Sequence, residues 1–369
     1  MTSPVSSTDG QSGACGDQSA PISERVADAF ARNTPLVIRA GGTKAFLGEP
    51  VAEGDDLDIT GHRGIVSYEP GELVLTARAG TPLVEIEQAL AEQNQMLAFE
   101  PPHYGEQATL GGTVAAGVSG PARPFTGAAR DFVLGTRIVN GRGEVLRFGG
   151  EVMKNVAGYD LSRLMAGAFG TLGVLLDISL KVLPVPRDQV TLVFEKDADS
   201  ALAHFSECLL RPWPITAAYW EAGRSYLRLA GAATSVESAA KALGGERLDD
   251  DRRFWRDIRE HQSAFFQDSR PLWRLSVAPA TPALDLAGDC VIDWGGAQRW
   301  LVSDADADTV RARAAELGGH ASLYSRQTDT SVTPRFHPLP APMMAIHKRV
   351  KQSLDPAGVF NRGRLYPDF

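Results

Sequence analysis

The stretch Leu36–Gly48, LVIRAGGTKAFLG, decides how the rest of the chain is read. A short apolar run, Leu36-Val37-Ile38, meets Arg39 and then the adjacent glycines Gly41 and Gly42, followed by Thr43 and Lys44. Adjacent glycines are a common way to leave a strand, so one reading is a plain turn. The other is an anion cradle, in which consecutive backbone N–H groups share one concavity and hold phosphate oxygens. On this stretch alone both readings stay open.

Composition narrows the field around it. The chain has 369 residues, is 43% hydrophobic and 22% charged, and carries a net charge of -8. That length allows two or three domains with sizeable cores. The acidic balance, with no basic run interleaved with aromatics, argues against nucleic acid as a partner. No apolar stretch reaches the roughly 18 residues that a membrane span needs. The opening MTSPVSSTDGQSGACGDQSAP is polar and lacks the basic and apolar regions of a signal peptide, so residues 1–20 are expected to be a disordered tail. A cytoplasmic location follows as an expectation. The cysteines Cys15, Cys208 and Cys290 are scattered and include no C-x-x-C pair. They seed neither a disulfide framework nor a zinc or iron–sulfur site, and no metal is expected.

Periodicity places elements along the chain. Ile22 to Arg32 has helical spacing, with Ile22, Val26, Ala29 and Phe30 on one side. GIVSYEP and LVLTARAG read as strands, Thr81-Pro82 opens a helix that Thr81 can cap, and MLAFEPP reads as a strand ending at Pro101-Pro102. FVLGTRIVNGRGEVLRFGG is a hairpin around Asn140-Gly141, and LGVLLDISLKVLPV is a long strand. From about Asp188 the pattern changes. A strand, a helix, the hairpin AAYWEAGRSYLRLAG and a second helix are echoed by WRLSVAP, the hairpin CVIDWGGAQRWLVS, the helix ADTVRARAAEL and the strand HASLYSR. Two ferredoxin-like halves side by side are the expectation. Pro338 to Pro342 reads as a linker and MMAIHKRVKQSLD as a last helix. The domains are then 21–187, a cap over 188–342, and a tail over 343–369.

Glycine loops recur through the first domain. Thr109-Leu110-Gly111-Gly112-Thr113, with Gly117 after it, follows Pro101-Pro102; Gly158-Tyr159 and then Gly170 to Gly173 come later. Glycine is costly in backbone entropy and is kept where positive φ or close backbone approach is needed. Several such loops in one domain point to a long ligand touched mainly by main chain, and a dinucleotide fits. G-x-G-x-x-G and P-loop patterns are absent from the expected strand–turn–helix setting, as are G-x-S-x-G and H-E-x-x-H.

RAGGTKAFLG, EPPHYGEQATLGGTVAAGVSGP, the stretch from RDFVLGTRIVNGRGEV to LLDISLKVLP, and the tail VKQSLDPAGVFNRGRLYP together resemble the FAD-linked oxidases of the vanillyl-alcohol oxidase (PCMH) type, and among them the FAD subunits of bacterial glycolate oxidases. The resemblance implies an α+β fold: a PCMH-type FAD-binding domain of two α+β subdomains with a ferredoxin-like α+β cap. It implies FAD held by Arg39, Ala40, Gly41, Gly42, Thr43 and Lys44 around the diphosphate. Pro101, Thr109, Gly111, Gly112, Thr113 and Gly117 would approach from the other side. Gly158 and Tyr159 would lie near the flavin, and Gly170, Gly173 and Val174 would face a ring of the cofactor. Some relatives carry a histidine after the paired glycines that bonds the flavin. Here Thr43 stands there, so non-covalent FAD is expected, with His103 the one nearby histidine that could upset this.

Oxidation of a 2-hydroxy acid needs a cation for the carboxylate and a base for the hydroxyl. Catalytic relatives carry a cap segment H-x-G-D-G-N-x-H, and this chain has none: its histidines are His62, His103, His204, His261, His320, His337 and His347. The expectation is therefore an accessory FAD subunit of a glycolate dehydrogenase complex that makes glyoxylate. A sister FAD subunit would carry the substrate site, an iron–sulfur subunit would pass electrons on, and any membrane contact would run through the complex. The alternatives are a stand-alone FAD oxidoreductase for another small hydroxy acid or alcohol, and a flavin-bearing scaffold. No catalytic residue is assigned.

Overall fold

The computed structural model describes residues 16–150, 160–324, 333–367 and 369. The first element among the described residues is a helix, Ser19–Arg32, whose buried face is Ile22, Val26 and Ala29. It starts inside the segment expected to be disordered. Gly16 to Ser19 are held by long-range contacts: the Gly16 carbonyl accepts from the Arg63 amide, and the Gln18 amide donates to His62 Nδ1 at 2.9 Å.

Strand β1 (Leu36–Arg39) pairs in parallel with β2 (Asp55–Asp58), and Leu36 also bridges to Phe360 of the tail. A second unit is the antiparallel sheet of β3 (Ile65–Glu69), β4 (Val74–Arg78), β6 (Val133–Val139), β7 (Val145–Gly149) and β8 (Val174–Lys181), in the order β3-β4-β8-β6-β7. The expected hairpin is β6–β7, closed where Asn140 Oδ1 accepts from the Arg142 and Glu144 amides. The expected strand MLAFEPP is only β5 (Gln95–Met96), paired with β9 (Leu183–Pro184). Leu97, Ala98 and Phe99 instead bury their side chains in the core, which outweighs strand propensity here. Thr81 does not cap the next helix, Leu83–Ala91: its hydroxyl accepts from the Gly64 amide and Pro82 takes the cap position.

The cap is one eight-stranded antiparallel sheet. Its strands are β10 (Asp188–Glu195), β11 (Ile215–Glu221), β12 (Arg224–Gly231), β13 (Glu246–Arg247), β14 (Leu272–Ser276), β15 (Asp289–Asp293), β16 (Gln298–Val302) and β17 (His320–Leu323). The order β13-β10-β12-β11-β15-β16-β14-β17 is two mirrored ferredoxin-like runs meeting at β11 and β15. The halves match residue for residue in places: Tyr226 and Trp300 pack in the same cluster, while Leu227 and Leu301 lie in clusters on the helix side. They differ in one respect. Helix Ala198–Leu209 crosses over from β10 to β11, whereas the crossover from β14 to β15, residues 277–288, contains no helix.

The tail begins with helix Ala341–Leu354, with Pro342 in its first turn where a missing N–H costs nothing. It then runs back to β1.

Candidate functional site

Strand β1 delivers Arg39 to Lys44 into a cleft of the first domain. The amides of Gly41, Gly42, Thr43 and Lys44 donate to no other described group. The paired glycines do different work. A Cβ on Gly41 would lie 1.5 Å from the Gln107 carbonyl oxygen, so this position must be glycine for the first two loops to touch. Gly42 has φ +70° with open space where a side chain would stand, so it turns the chain and leaves room beside the free amides.

The second loop starts helix Leu110–Ala116, capped by Thr109 Oγ1, which accepts from the Gly112 amide at 3.2 Å. Gly111 lines the cleft, but its amide donates to the Ala79 carbonyl at 2.7 Å, and a Cβ there would collide with Ala79. Gly170 (φ +71°) and Gly173 line the opposite wall with Phe169. The tail supplies Asn361 and Arg364.

Two cations are desolvated here. Burial pushes the Lys44 amine down to about 8, against the opposing pull of Glu260. Burial likewise brings the Arg364 guanidinium down to about 10. Lys44 Nζ donates to the His103 carbonyl at 3.2 Å, and Arg364 donates to the Glu49 and Ala45 carbonyls at 2.8 Å each. Above the cleft the cap reaches down. The Glu260 carboxylate accepts from the His103 amide at 3.1 Å and the Tyr104 amide at 2.8 Å, and the Tyr104 and Tyr324 hydroxyls are 3.0 Å apart. Burial holds the Tyr104 phenol well above its ordinary range.

Of the residues named from sequence, Arg39 through Lys44, Thr109, Gly111, Gly112, Gly170 and Gly173 share this cleft. Arg39 contributes backbone, because its guanidinium is exposed and paired with Asp56 at 2.5 Å. Pro101, Thr113, Gly117 and Val174 do not line the cleft. Pro101 is buried beside it; Thr113 sits inside the helix, fully buried, its hydroxyl without a partner among the described residues; Gly117 ends that helix with φ +65°. Val174 is committed to the sheet opposite Val139. Gly158 and Tyr159 lie outside the described residues. Asn361 and Arg364 were missed because the tail's return carries no spacing signal; their only flag was the tail's place in the family resemblance. Arg123 stacks on Trp294, 4.4 Å from the ring centre, and Trp294 Nε1 donates to the Gly120 carbonyl, so this tryptophan joins the cap to the first domain.

Residues 15–149 match the FAD binding domain family. GlcE, a glycolate oxidase subunit of Escherichia coli (strain K12), is 50% identical over 352 residues, covering 95% of this chain and 98% of that one. The chain belongs to the GlcE family of FAD-linked oxidases. GlcD, a glycolate oxidase subunit of Bacillus subtilis (strain 168), is 32% identical over 160 residues, 43% of this chain and 34% of that protein. The likeness to GlcD thus covers less than half of this GlcE-family chain and about a third of GlcD. In structure, an alkyldihydroxyacetonephosphate synthase aligns with TM-score 0.64 at 16% identity, over 94% of this chain and 74% of that one, so the GlcE-family fold is shared with that synthase.

The cleft fits FAD. The unpaired amides of Gly41 to Lys44 and the desolvated Lys44 and Arg364 suit a diphosphate, whose charge would repay their burial. Val37, Ile59, Ala115, Phe169 and Leu175 offer apolar wall for its rings.

Proposed function

We propose that this chain is the FAD-holding accessory subunit of a glycolate oxidase complex that converts glycolate to glyoxylate. The observation that carries this reading is the end-to-end identity with the E. coli glycolate oxidase subunit GlcE. FAD, when bound, supplies acceptance of the two electrons that leave a 2-hydroxy acid on oxidation. The chain's own residues bind and orient it. The amides of Gly41, Gly42, Thr43 and Lys44 hold the diphosphate, Lys44 and Arg364 balance its charge, and Asn361 fixes the wall of the cleft between two loops.

The flavin is held non-covalently in this reading. His103, whose carbonyl accepts from Lys44, has its Nε2 3.1 Å from the Glu87 carboxylate. The substrate's carboxylate and proton are handled by a sister FAD subunit of the GlcD kind, because this chain has no H-x-G-D-G-N-x-H segment. An iron–sulfur subunit receives the electrons, and membrane contact runs through the complex. Among the described residues no helix is long and apolar enough to cross a membrane.

Anaerobic titration of the purified chain with glycolate, followed by flavin absorbance, tests this. The flavin is expected to stay oxidised in the isolated chain and to bleach once the sister subunit is added. Bleaching of the chain alone would overturn the accessory reading and leave a stand-alone oxidoreductase.

A further inference from the structure

Residues 103–107 back the cofactor cradle, and they are gripped from two sides. On the cradle side, the Gln107 carbonyl leaves no room for a Cβ on Gly41, and a Cβ on Gly105 would lie 3.0 Å from Thr43 Cγ2. Lys44 Nζ donates to the His103 carbonyl at 3.2 Å and lies 6.0 Å from the centre of the Tyr104 ring. On the other side stands Glu260, the cap residue that closes helix Asp251–Arg259.

Both oxygens of the Glu260 carboxylate are used. Oε2 accepts from the His103 amide at 3.1 Å and the Tyr104 amide at 2.8 Å, and Oε1 accepts from Arg259 Nε at 2.8 Å. Successive amides converge on one anion only where the backbone curls. Tyr104 supplies that curl at φ +55°, a conformation costly for a residue with a Cβ, and the carboxylate offsets the cost. The His103 peptide is thus held at its N–H by the cap and at its C=O by Lys44. Glu260 is also the anion that opposes the desolvation of the Lys44 amine. Around this pair, Arg364 lines the same cleft, Arg259 is paired with Glu260 itself, and the His103 ring meets Glu87 at 3.1 Å.

We infer that Glu260 is a positioning residue for the flavin: a cap carboxylate that fixes the 103–107 loop behind the cradle and, through the His103 peptide, holds the Lys44 ammonium at the diphosphate. This rests on the reading of Arg39 to Lys44 as the diphosphate loop. Glu260 itself does not line the cleft, so it acts through the loop and through its charge. The hold on FAD then depends on the cap being docked.

Flavin fluorescence on the full chain tests this, reading FAD release and FAD affinity against pH in wild type, Glu260→Ala, Glu260→Gln and Lys44→Met. Glu260→Ala strands two amides and is expected to release FAD about tenfold faster. Glu260→Gln keeps an acceptor oxygen for them, so its release should return toward wild type. Both variants take the anion from Lys44, so the pH at which FAD affinity begins to fall should drop by about half a pH unit. A carboxylate that only steadied the fold would lower the melting temperature and leave that break in place. A break unmoved in both variants, or unchanged release in Glu260→Ala, would overturn the assignment; if Glu260→Ala does not fold, the break in Glu260→Gln decides. A wild type without a break, or a Lys44→Met variant that keeps it, would refute the placement of Lys44 at the diphosphate and the role of Glu260 with it.

Discussion

Asn361 Oδ1 accepts a hydrogen bond from the Ile38 amide at 2.8 Å, across 323 residues of chain. Its Nδ2 donates to the Phe169 carbonyl, also at 2.8 Å. One amide therefore ties the tail to the strand that enters the cofactor loop and to the loop on the facing wall. Asn361 sits at φ +39°, a region asparagine tolerates better than most residues. Asn361→Leu leaves the part-buried Ile38 amide and Phe169 carbonyl unmet, which costs about 1 kcal/mol for each group. Lower flavin content on purification and a lower melting temperature are expected; a variant that retains full FAD would show that the tail plays no part in the cleft.

Lys44 gives the cleft a pH dependence. Burial lowers its amine to about 8, so it is a cation below that pH and neutral above it. A bound diphosphate favours the cation, so FAD affinity is expected to be flat below pH 8. Above it, affinity falls by up to about tenfold per pH unit. The stability of the empty protein moves the other way. The unfolded amine, at its ordinary value of 10.5, holds its proton longer than the folded one, so stability rises between about pH 8 and 10.5. Flavin fluorescence titrations from pH 6 to 10 on wild type and Lys44→Met check the first slope, which the variant should lose.

The two glycines of the cradle should fail differently. Gly41→Ala forces the first loop off the Gln107 carbonyl and is expected to abolish flavin loading. Gly42→Ala meets no atom but strains a backbone at φ +70°, costing about 1–2 kcal/mol, with partial loading retained. Gly42→Trp fills the cradle and should load no FAD. Absorbance at the flavin band relative to protein reads all three.

The tail is locked by a buried ion pair. Lys351 Nζ lies 2.7 Å from Asp355 Oδ2 and also donates to the Thr171 and Phe360 carbonyls. Asp355 is 1% exposed and accepts from the Val359 and Phe360 amides. Asp355→Ala strands a buried cation and is expected to cost about 3–5 kcal/mol in denaturant unfolding. The double variant Lys351→Met with Asp355→Asn should cost less than that single change.

Local physics was readable in the chain itself. Gly-Gly after a short apolar strand, Asn140-Gly141 between apolar runs, and the echo of Tyr226-Leu227 in Trp300-Leu301 report turn geometry and side-chain alternation, which depend on near neighbours. The glycine loops read in order from the chain line one cleft in the structure. What the chain alone could not separate was the reason for each glycine. Gly41 and Gly111 are demanded by packing against Gln107 and Ala79, and Gly42 by a backbone turn, a distinction made by atoms far away in sequence.

The tertiary structure decided the rest, because it depends on which distant segments meet. Asn361 and Arg364 reach the cleft only because the tail bridges back to β1, and Pro101, Thr113, Gly117 and Val174 drop out because core and sheet claim them. The burial of Arg299 has the same origin. No local signal marks this charged residue within a strand; it is buried where a crossover in the second half of the cap forms a loop that offers it the Thr281 carbonyl, whereas the first half forms a helix there.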